Sequence, residues 1–266
     1  MKEIIKHLKV WAMLIRINFM SQMEYRTNFV SGILMEAGYL LAKIMYVIVV
    51  YQAGRGIAGY GPDEILVFIG TFVALTGLYA GLLATNLFQL STLVRDGSFD
   101  MLLVKPVSTQ FLASFRRSEI GALLFDTIAG IIMVIVGLLR IGTGLDVIGV
   151  VGWAFFMASG AAVGYALWVI PMTFVFRIVR ADAIAGLADS FWDFNNVPMI
   201  VYGRVGQAIG VFVIPIFVIT NFPAIFALGR MPPVYFIWGF VAPVLFGFIA
   251  SRLWKAGLKH YASGGN

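Results

Sequence analysis

The sequence predicts an all-α integral membrane protein with six transmembrane helices, and three observations support this fold class. Of the 266 residues, 61% are hydrophobic and only 12% are charged, whereas soluble domains carry about 25% charged residues. Six apolar stretches are long enough to cross a bilayer, which takes about 20 residues per helix. Their apolar residues run continuously, as in 131–139, which favours helices over the alternating strands of a membrane β-barrel.

Residues 1–26 precede the first span and carry apolar residues at helical spacing, with basic residues on the remaining surface. The apolar set is Ile4, Ile5, Leu8, Trp11, Ala12, Ile15 and Phe19, and the basic set is Lys2, Lys6, Lys9 and Arg16. This pattern predicts an amphipathic interfacial helix that lies against lipid head groups, either as a simple anchor or as a contact for a partner subunit. The charges also leave no apolar core of a cleaved signal peptide, so we expect a retained, cytoplasmic N-terminus.

Residues 27–266 form the predicted six-span domain, with spans at 27–51, 65–88, 118–139, 148–176, 205–228 and 234–251. Pro171 and Pro215 lie within spans four and five, and we expect them to bend these helices. Asn221-Phe222-Pro223 and Met231-Pro232-Pro233 enclose a short apolar stretch before the last span. We interpret that stretch as a re-entrant segment near the external surface.

The basic residues predict the orientation of these spans, because Lys and Arg are retained on the cytoplasmic side. Fifteen of the 19 fall on the side of the two termini: Lys2, Lys6, Lys9, Arg16, Arg26, Arg95, Lys105, Arg116, Arg117, Arg177, Arg180, Arg204, Arg252, Lys255 and Lys259. The opposite side has Arg55, Arg140 and Arg230. Both termini are therefore predicted to be cytoplasmic in a multi-pass protein of the cell membrane. This distribution explains the net charge of +6 by topology, without nucleic-acid binding.

The loop at 89–117 carries more structural signals than a simple connection needs. Asp96-Gly97 is expected to end the helix of span two, and Ser98 to cap a short helix that ends at Lys105-Pro106. Ser108 is expected to begin the helix that leads to span three. The apolar side of the short helix consists of Phe99, Met101, Leu102 and Leu103. The pattern predicts a short helix across the cytoplasmic mouth of the bundle, which either docks a partner or only packs on the bundle.

A second amphiphilic stretch, 177–204, mixes acidic and amide residues with aromatic ones. Its polar members include Asp182, Asp189, Asp193, Asn195 and Asn196, and its apolar members include Phe191, Trp192, Phe194 and Ile200. Two interpretations remain open. The stretch lies at the cytoplasmic interface, or its middle enters the bilayer as a broken helix.

Three charged residues, Glu36, Lys43 and Asp126, lie inside predicted spans, where a charge costs about 2.5–3.5 kcal/mol on insertion scales. Glu36 and Lys43 are seven residues apart on one face of span one, which makes a direct or water-bridged pair plausible. Glu36 and Asp126 are expected at similar depths. We favour a neutralised structural pair, and the alternative is a polar surface that faces a substrate pathway or a subunit interface.

The sequence contains no pattern typical of catalytic, metal or nucleotide-binding sites. The two His residues lie near the chain ends, and no His/Asp/Glu cluster has metal-ligand spacing. Zero Cys excludes thiolate sites,. The absence of G-x-x-x-x-G-K-[ST] means that any ATP dependence must come from another polypeptide. Three G-x-x-x-G pairs, Gly77/Gly81, Gly160/Gly164 and Gly206/Gly210, are expected to serve mostly internal helix contacts.

The sequence Arg95-Asp96-Gly97-Ser98-Phe99-Asp100, followed by Leu102-Leu103-Val104-Lys105-Pro106-Val107, resembles permease subunits of the ABC-2 superfamily of ABC transporters. The resemblance covers essentially the whole chain. It implies that this loop is a coupling helix that docks in a groove of a separate ATPase. The implied docking residues are Arg95, Asp96, Gly97, Ser98, Phe99, Asp100, Leu102, Leu103, Lys105 and Pro106.

The resemblance further implies an alternating-access exporter of an amphipathic or hydrophobic substrate, such as a lipid-like compound, a peptide or an antibiotic. ATP and Mg²⁺ would be bound by the partner ATPase, and a second permease, identical or related, would complete the pathway. The main alternative is an ion-coupled secondary transporter, which predicts internal repeats and buried acidic ion sites. An intramembrane enzyme is disfavoured by the missing catalytic residues.

Overall fold

The protein is described here by a computed structural model that covers residues 2–54, 56–143, 146–178 and 182–261, and the described chain is helical without a strand. The helices are α1 (Lys2–Glu24), α2 (Arg26–Ala53), α3 (Pro62–Tyr79), α4 (Thr85–Phe88), α5 (Leu90–Arg95), α6 (Asp100–Leu103), α7 (Thr109–Phe115), α8 (Ile120–Ile141), α9 (Val147–Met172), α10 (Asp182–Asp193), α11 (Arg204–Ala208), α12 (Ile216–Ala227) and α13 (Pro233–Leu258). Arg55 and Arg180, two of the basic residues used to predict orientation, lie outside the described residues.

Five continuous helical segments are long and apolar enough to cross a membrane: Arg26–Ala53, Pro62–Arg95, Ile120–Ile141, Val147–Phe176 and Pro233–Leu258. The second runs without interruption from α3 to α5, because a π-helix at Ala80–Ala84 joins α3 to α4. It is the most buried of the five and forms its most extensive contact with α8. The all-helical membrane fold is therefore confirmed, with α3 at its centre.

The bend that Pro215 predicts in the fifth span at 205–228 is confirmed, and it is a sharp break. Residues Arg204–Val213 and Ile216–Ala227 form two short helical pieces that meet at an angle of 101°. Pro215 lies at the break, as expected for a residue that has no backbone N–H to donate within a helix. The described residues thus contain five continuous candidate spans, or six when the bent pair is counted as one.

The predicted re-entrant stretch between Asn221 and Pro233 begins in the second piece of this bent pair, whose geometry is that of a broken span or a re-entrant loop. Asn221, Phe222 and Pro223 lie inside α12 and are buried. The helix continues to Ala227, and five residues connect it to α13. Pro223 is tolerated there because neighbouring groups in a membrane bundle can satisfy the freed carbonyl.

The ends of the helices group into two faces of the bundle. On one face, Asn18 of α1 donates to the Arg116 carbonyl (3.0 Å), and Phe99 contacts Phe176 and Tyr261. This terminal face thus holds α1, the loop at 89–117 and the end of α13. On the opposite face, an ion pair joins Arg140 to Asp63 (2.9 Å), at the ends of α8 and α3. Both described chain ends therefore lie on one side, as predicted.

The three predicted glycine pairs serve contacts within the chain. A side chain at five of the six positions would meet a neighbouring segment within 4 Å, at Gly77, Gly81, Gly160, Gly164 and Gly210. One close helix approach was not predicted, because its two glycines are far apart in sequence. Gly70 of α3 faces Gly130 of α8, and a Cβ on Gly130 would lie 2.3 Å from the Ala74 nitrogen.

Candidate functional site

The segment between α5 and α7 is a short elbow held on the terminal face by a buried aromatic anchor. Gly97 follows α5 with a φ of +73°, a left-handed conformation that glycine adopts without strain, so the predicted helix end at Asp96-Gly97 is confirmed. The Phe99 ring is fully buried. It lies 5.1 Å from the ring of Tyr261, and 5.3 Å from that of Phe176.

Tyr261, which follows α13, adds a second contact to this anchor. Burial, and then the neighbouring Asp100 carboxylate, raise the pKa of the Tyr261 hydroxyl to about 12. The phenol is therefore neutral at physiological pH. The elbow is thus joined to the ends of two spans, α9 through Phe176 and α13 through Trp254, whose ring lies 6.4 Å from that of Phe99.

The other side of the elbow is exposed and combines apolar with charged residues. Met101 is 69% exposed and Val104 is 84% exposed. Leu103, Lys105 and Pro106 are also exposed, and an exposed ion pair joins Arg95 to Asp96 (3.4 Å). We call Arg95, Asp96, Met101, Leu103, Val104, Lys105 and Pro106 the outer surface of the elbow.

The structure divides the sequence-predicted docking residues into two groups. Phe99 and Leu102 are buried, so they hold the elbow and are not accessible to a partner. Met101 and Val104 are the most exposed apolar residues of the segment, and neither was among the predicted docking residues. Exposure could not be deduced because a four-residue helix shows too little periodicity to assign its faces.

The two predicted serine caps have different outcomes. Ser98 does not cap the short helix, because α6 begins at Asp100 and Phe99 occupies the capping position without a side-chain bond. Ser108 does cap α7, where its hydroxyl accepts from the Phe111 backbone N–H (3.4 Å).

Inside the bundle, Lys43 does not pair with Glu36, so the predicted Glu36–Lys43 pair is wrong. The Lys43 ammonium donates to the Asn196 side-chain oxygen and lies over the rings of Tyr39 (5.0 Å) and Phe72 (4.7 Å). An amide oxygen and two aromatic faces thus solvate the charge. Asn196 belongs to the amphiphilic stretch 177–204, for which the sequence allowed two interpretations, and the tertiary fold places it next to Lys43.

That segment, α10 with the turn Phe194–Asn196, packs into the bundle. The Trp192 indole N–H donates to the Thr76 hydroxyl (3.2 Å), and its ring stacks on Tyr79 at 4.4 Å. Asn195 is fully buried. Trp192 and Asn196 thus contact Thr76 and Lys43, which lie in the middle of two candidate spans, so the stretch from α10 to Asn196 is packed against the bundle. Its position relative to the bilayer stays a prediction.

Glu36 and Asp126 lie together, which confirms their predicted similar depth. Asp126 of α8 is fully buried. The charged group with the strongest electrostatic interaction with its carboxylate is the Glu36 side chain of α2. Apart from the neighbouring Glu36 carboxyl, neither carboxylate oxygen of Asp126 has a hydrogen-bond partner among the described residues. The third predicted pathway residue, Lys43, is engaged elsewhere. We therefore distinguish an acidic pair from a separate lysine site.

Replacing Lys43 with methionine is expected to lower the free energy of unfolding by about 1–3 kcal/mol, because the Asn196 oxygen loses its donor in a partly buried site,. The measurement is thermal unfolding of the purified full chain in detergent. Lys255→Met is the control, since Lys255 is exposed near the end of α13, and we expect it to change stability by less than about 0.5 kcal/mol. Equal effects of the two substitutions would contradict the role assigned to Lys43.

Over residues 2–54, 56–143, 146–178 and 182–261, no group of three His, Cys, Asp or Glu residues has the geometry to hold a metal ion. The exposed elbow contacts the ends of two candidate spans through Phe99. Three charged residues, Glu36, Lys43 and Asp126, lie inside candidate spans.

Comparison with known proteins gives one family assignment. The model of the family described as ABC-2 family transporter protein matches residues 37–265, which is most of the chain and includes the elbow. No curated protein matches, and no solved structure matches. The family match and the apolar spanning helices together assign the class of the protein. The chain belongs to the ABC-2 family and is a multi-pass membrane permease subunit of an ABC transporter.

Proposed function

We propose that this permease is driven by a separate ATPase that docks on the outer surface of the elbow. The observation that carries the proposal is the division of the elbow into a buried anchor, Phe99, and an exposed apolar tip, Met101 and Val104. An exposed apolar patch with charged residues at its edge is typical of a protein-protein contact. ATP and Mg²⁺ are held by that partner, and this chain supplies the docking surface and the membrane path.

The anchor gives the docking surface a mechanical connection to the membrane domain. A push on Val104 is transmitted through Phe99 to Phe176, at the end of the fourth span, and to Trp254, near the end of the last span. Packed aromatic side chains resist compression and transmit displacement. ATP-driven closure of the partner would therefore move α9 and α13 together, as alternating access requires.

The distribution of basic residues supports a cytoplasmic terminal face in a cell membrane. Five Lys or Arg residues lie within residues 1–26, four in the loop at 89–117 and three after residue 251, in accord with the positive-inside rule. On the opposite face, Arg140 and Arg230 are paired with Asp63 and Glu64. This orientation places the elbow where a cytoplasmic ATPase can reach it.

The remaining parts of the proposal follow from this arrangement and the family. A second permease, identical or related, completes the path across the membrane. Helix α1 lies on the lipid head groups, since Ile5, Leu8 and Phe19 are exposed apolar residues on it,. The direction is export, and the substrate is an amphipathic or hydrophobic compound. The transporter is not expected to bind nucleic acid.

The test is affinity purification of the tagged full chain from its native membranes, with wild type compared with a Met101→Asp/Val104→Asp variant. We expect a subunit with a G-x-x-x-x-G-K-[ST] sequence to co-purify with wild type. The variant should retain at least tenfold less of it, because two carboxylates would be desolvated in the contact.

Val234→Asp is the matched control, since it places the same charge at an exposed position on the opposite face and should leave co-purification unchanged. Retention of the ATPase by the double variant would contradict the docking surface. Ion-driven transport by the chain alone would contradict ATP coupling and favour the secondary transporter.

A further inference from the structure

A crevice of about 690 Å³ lies on the terminal face between the first two helices and the centre of the bundle. It is bounded by the end of α1, the first half of α2, the π-helix Ala80–Ala84 and the start of α8. It exists because α2 is the least buried of the five spans. Its volume is in the range of about 300–1,000 Å³ that is typical of small-molecule sites.

The acidic pair lies at the inner end of this crevice. Glu36 lines it, about 15 Å along α2 from Arg26 at 1.5 Å per residue,. Ala122 of α8 also lines it, and Asp126 lies one helical turn further in. The carboxylate of Asp126 is fully buried, and its one hydrogen-bonding neighbour among the described residues is the carboxyl of Glu36. Two carboxylates thus meet where an opening reaches the interior of the membrane domain.

The described residues supply no counter-charge to this pair. Lys43, the nearest basic residue of α2, is bound to Asn196. The three ion pairs found in the described part of the chain involve neither Glu36 nor Asp126. A buried carboxylate pair of this kind requires a proton or a cation, because like charges in a low-dielectric site repel.

The remaining lining is suited to an organic cation with an apolar body. Tyr25 and Phe29 offer aromatic faces, which attract cations, and Ile33 adds an apolar surface. At the mouth, Arg117 is exposed, and the Glu119 carboxylate accepts from Gln22 and Thr85 (both 3.5 Å). Including Asp126, the crevice carries three acidic groups against one basic group.

We propose that this crevice binds the cationic group of an organic substrate, with Glu36 and Asp126 as its counter-charges and Tyr25 and Phe29 around it. The inference rests on the proposed transport function and names the substrate class: amphipathic compounds that carry an ammonium or a similar cation. A substrate that enters from the cytoplasm or from the inner leaflet would reach Glu36 through the opening between α1 and α8.

The test measures binding to the full chain in nanodiscs of neutral phosphatidylcholine. The probe is dansylcadaverine, a fluorescent primary ammonium, and its N-acetylated form is the neutral comparison. We expect wild type to bind the ammonium form at least tenfold more tightly than the neutral form. Glu36→Gln and Asp126→Asn should each weaken binding of the ammonium form about tenfold and leave binding of the neutral form unchanged.

Two further variants complete the test. Asp146→Asn, the same change on the opposite face, should retain full discrimination, because either side chain can cap α9,. Gly32→Phe leaves both carboxylates in place but fills the crevice, where Gly32 has open space, and should weaken binding of both probes.

Equal affinity of wild type for the two probes would overturn the proposal. So would full discrimination in a Glu36→Gln/Asp126→Asn double variant, or unchanged binding by Gly32→Phe. The measurement needs no ATPase, so a negative result is distinct from a failure of the docking test.

Discussion

Phe99→Ala is expected to lower the free energy of unfolding by about 3–5 kcal/mol, the range for removing a buried aromatic side chain. The ring is fully buried among Phe176, Trp254 and Tyr261. Its loss would leave a cavity bordered by rigid aromatic groups that cannot close around it. The elbow would then lose its connection to α9 and α13.

Two measurements check this prediction. Thermal unfolding of the purified chain reports the loss of stability, and hydrogen exchange at residues 96–104 reports the loss of order in the elbow. Met101→Ala is the control, because Met101 lies on the same short helix but is 69% exposed. It should change stability by less than about 0.5 kcal/mol. If both substitutions had equally small effects, Phe99 would not be an anchor.

Gly130→Ala is expected to destabilise the membrane domain by about 3 kcal/mol, the upper end of the usual cost of overpacking. The added Cβ would lie 2.3 Å from the Ala74 nitrogen and 2.5 Å from the Gly70 oxygen. Both are backbone atoms of α3, so no rotamer change can relieve the overlap. The two central helices would have to separate along their most extensive contact.

The control for this substitution is Gly247→Ala in α13. Gly247 has nothing within 4 Å of its ideal Cβ position, so alanine fits there and should be neutral or stabilise by up to about 1 kcal/mol through helix propensity. Both variants are compared by unfolding in detergent. A Gly130 variant as stable as wild type would show that α3 and α8 do not approach as closely as described.

The elbow shows where sequence reasoning succeeded and where it stopped. Its position, its start after Asp96-Gly97 and the cap by Ser108 could all be predicted, because turn and cap preferences depend on local backbone geometry. The burial of Phe99 and the exposure of Met101 could not be predicted. They depend on Phe176 and Tyr261, which are distant in sequence and supply the surface on which the ring packs.

The charged residues within the spans show the same limit. Because a charge inside a membrane span is energetically unfavourable, Glu36, Lys43 and Asp126 were candidates for a structural pair or a pathway. Helical spacing suggested a Glu36–Lys43 pair. The spacing of residues along a helix shows only which side chains of that helix share a face. The interaction partner of a side chain can come from any segment that packs against the helix. The fold brings Asn196 to Lys43 and Asp126 to Glu36.

The sequence by itself determined that this protein is a helical membrane protein with two distinct faces and a structured loop on one of them. The membrane fold and its two faces depend on hydropathy and charge summed over many residues, which act through the bilayer. They can therefore be inferred without knowledge of tertiary contacts. The tertiary structure alone decided the sharpness of the break at Pro215, the packing of residues 182–204 against the bundle and the crevice beneath α1. These features depend on how the helices pack side by side. Side-chain shape and individual contacts control this packing, whereas average composition does not.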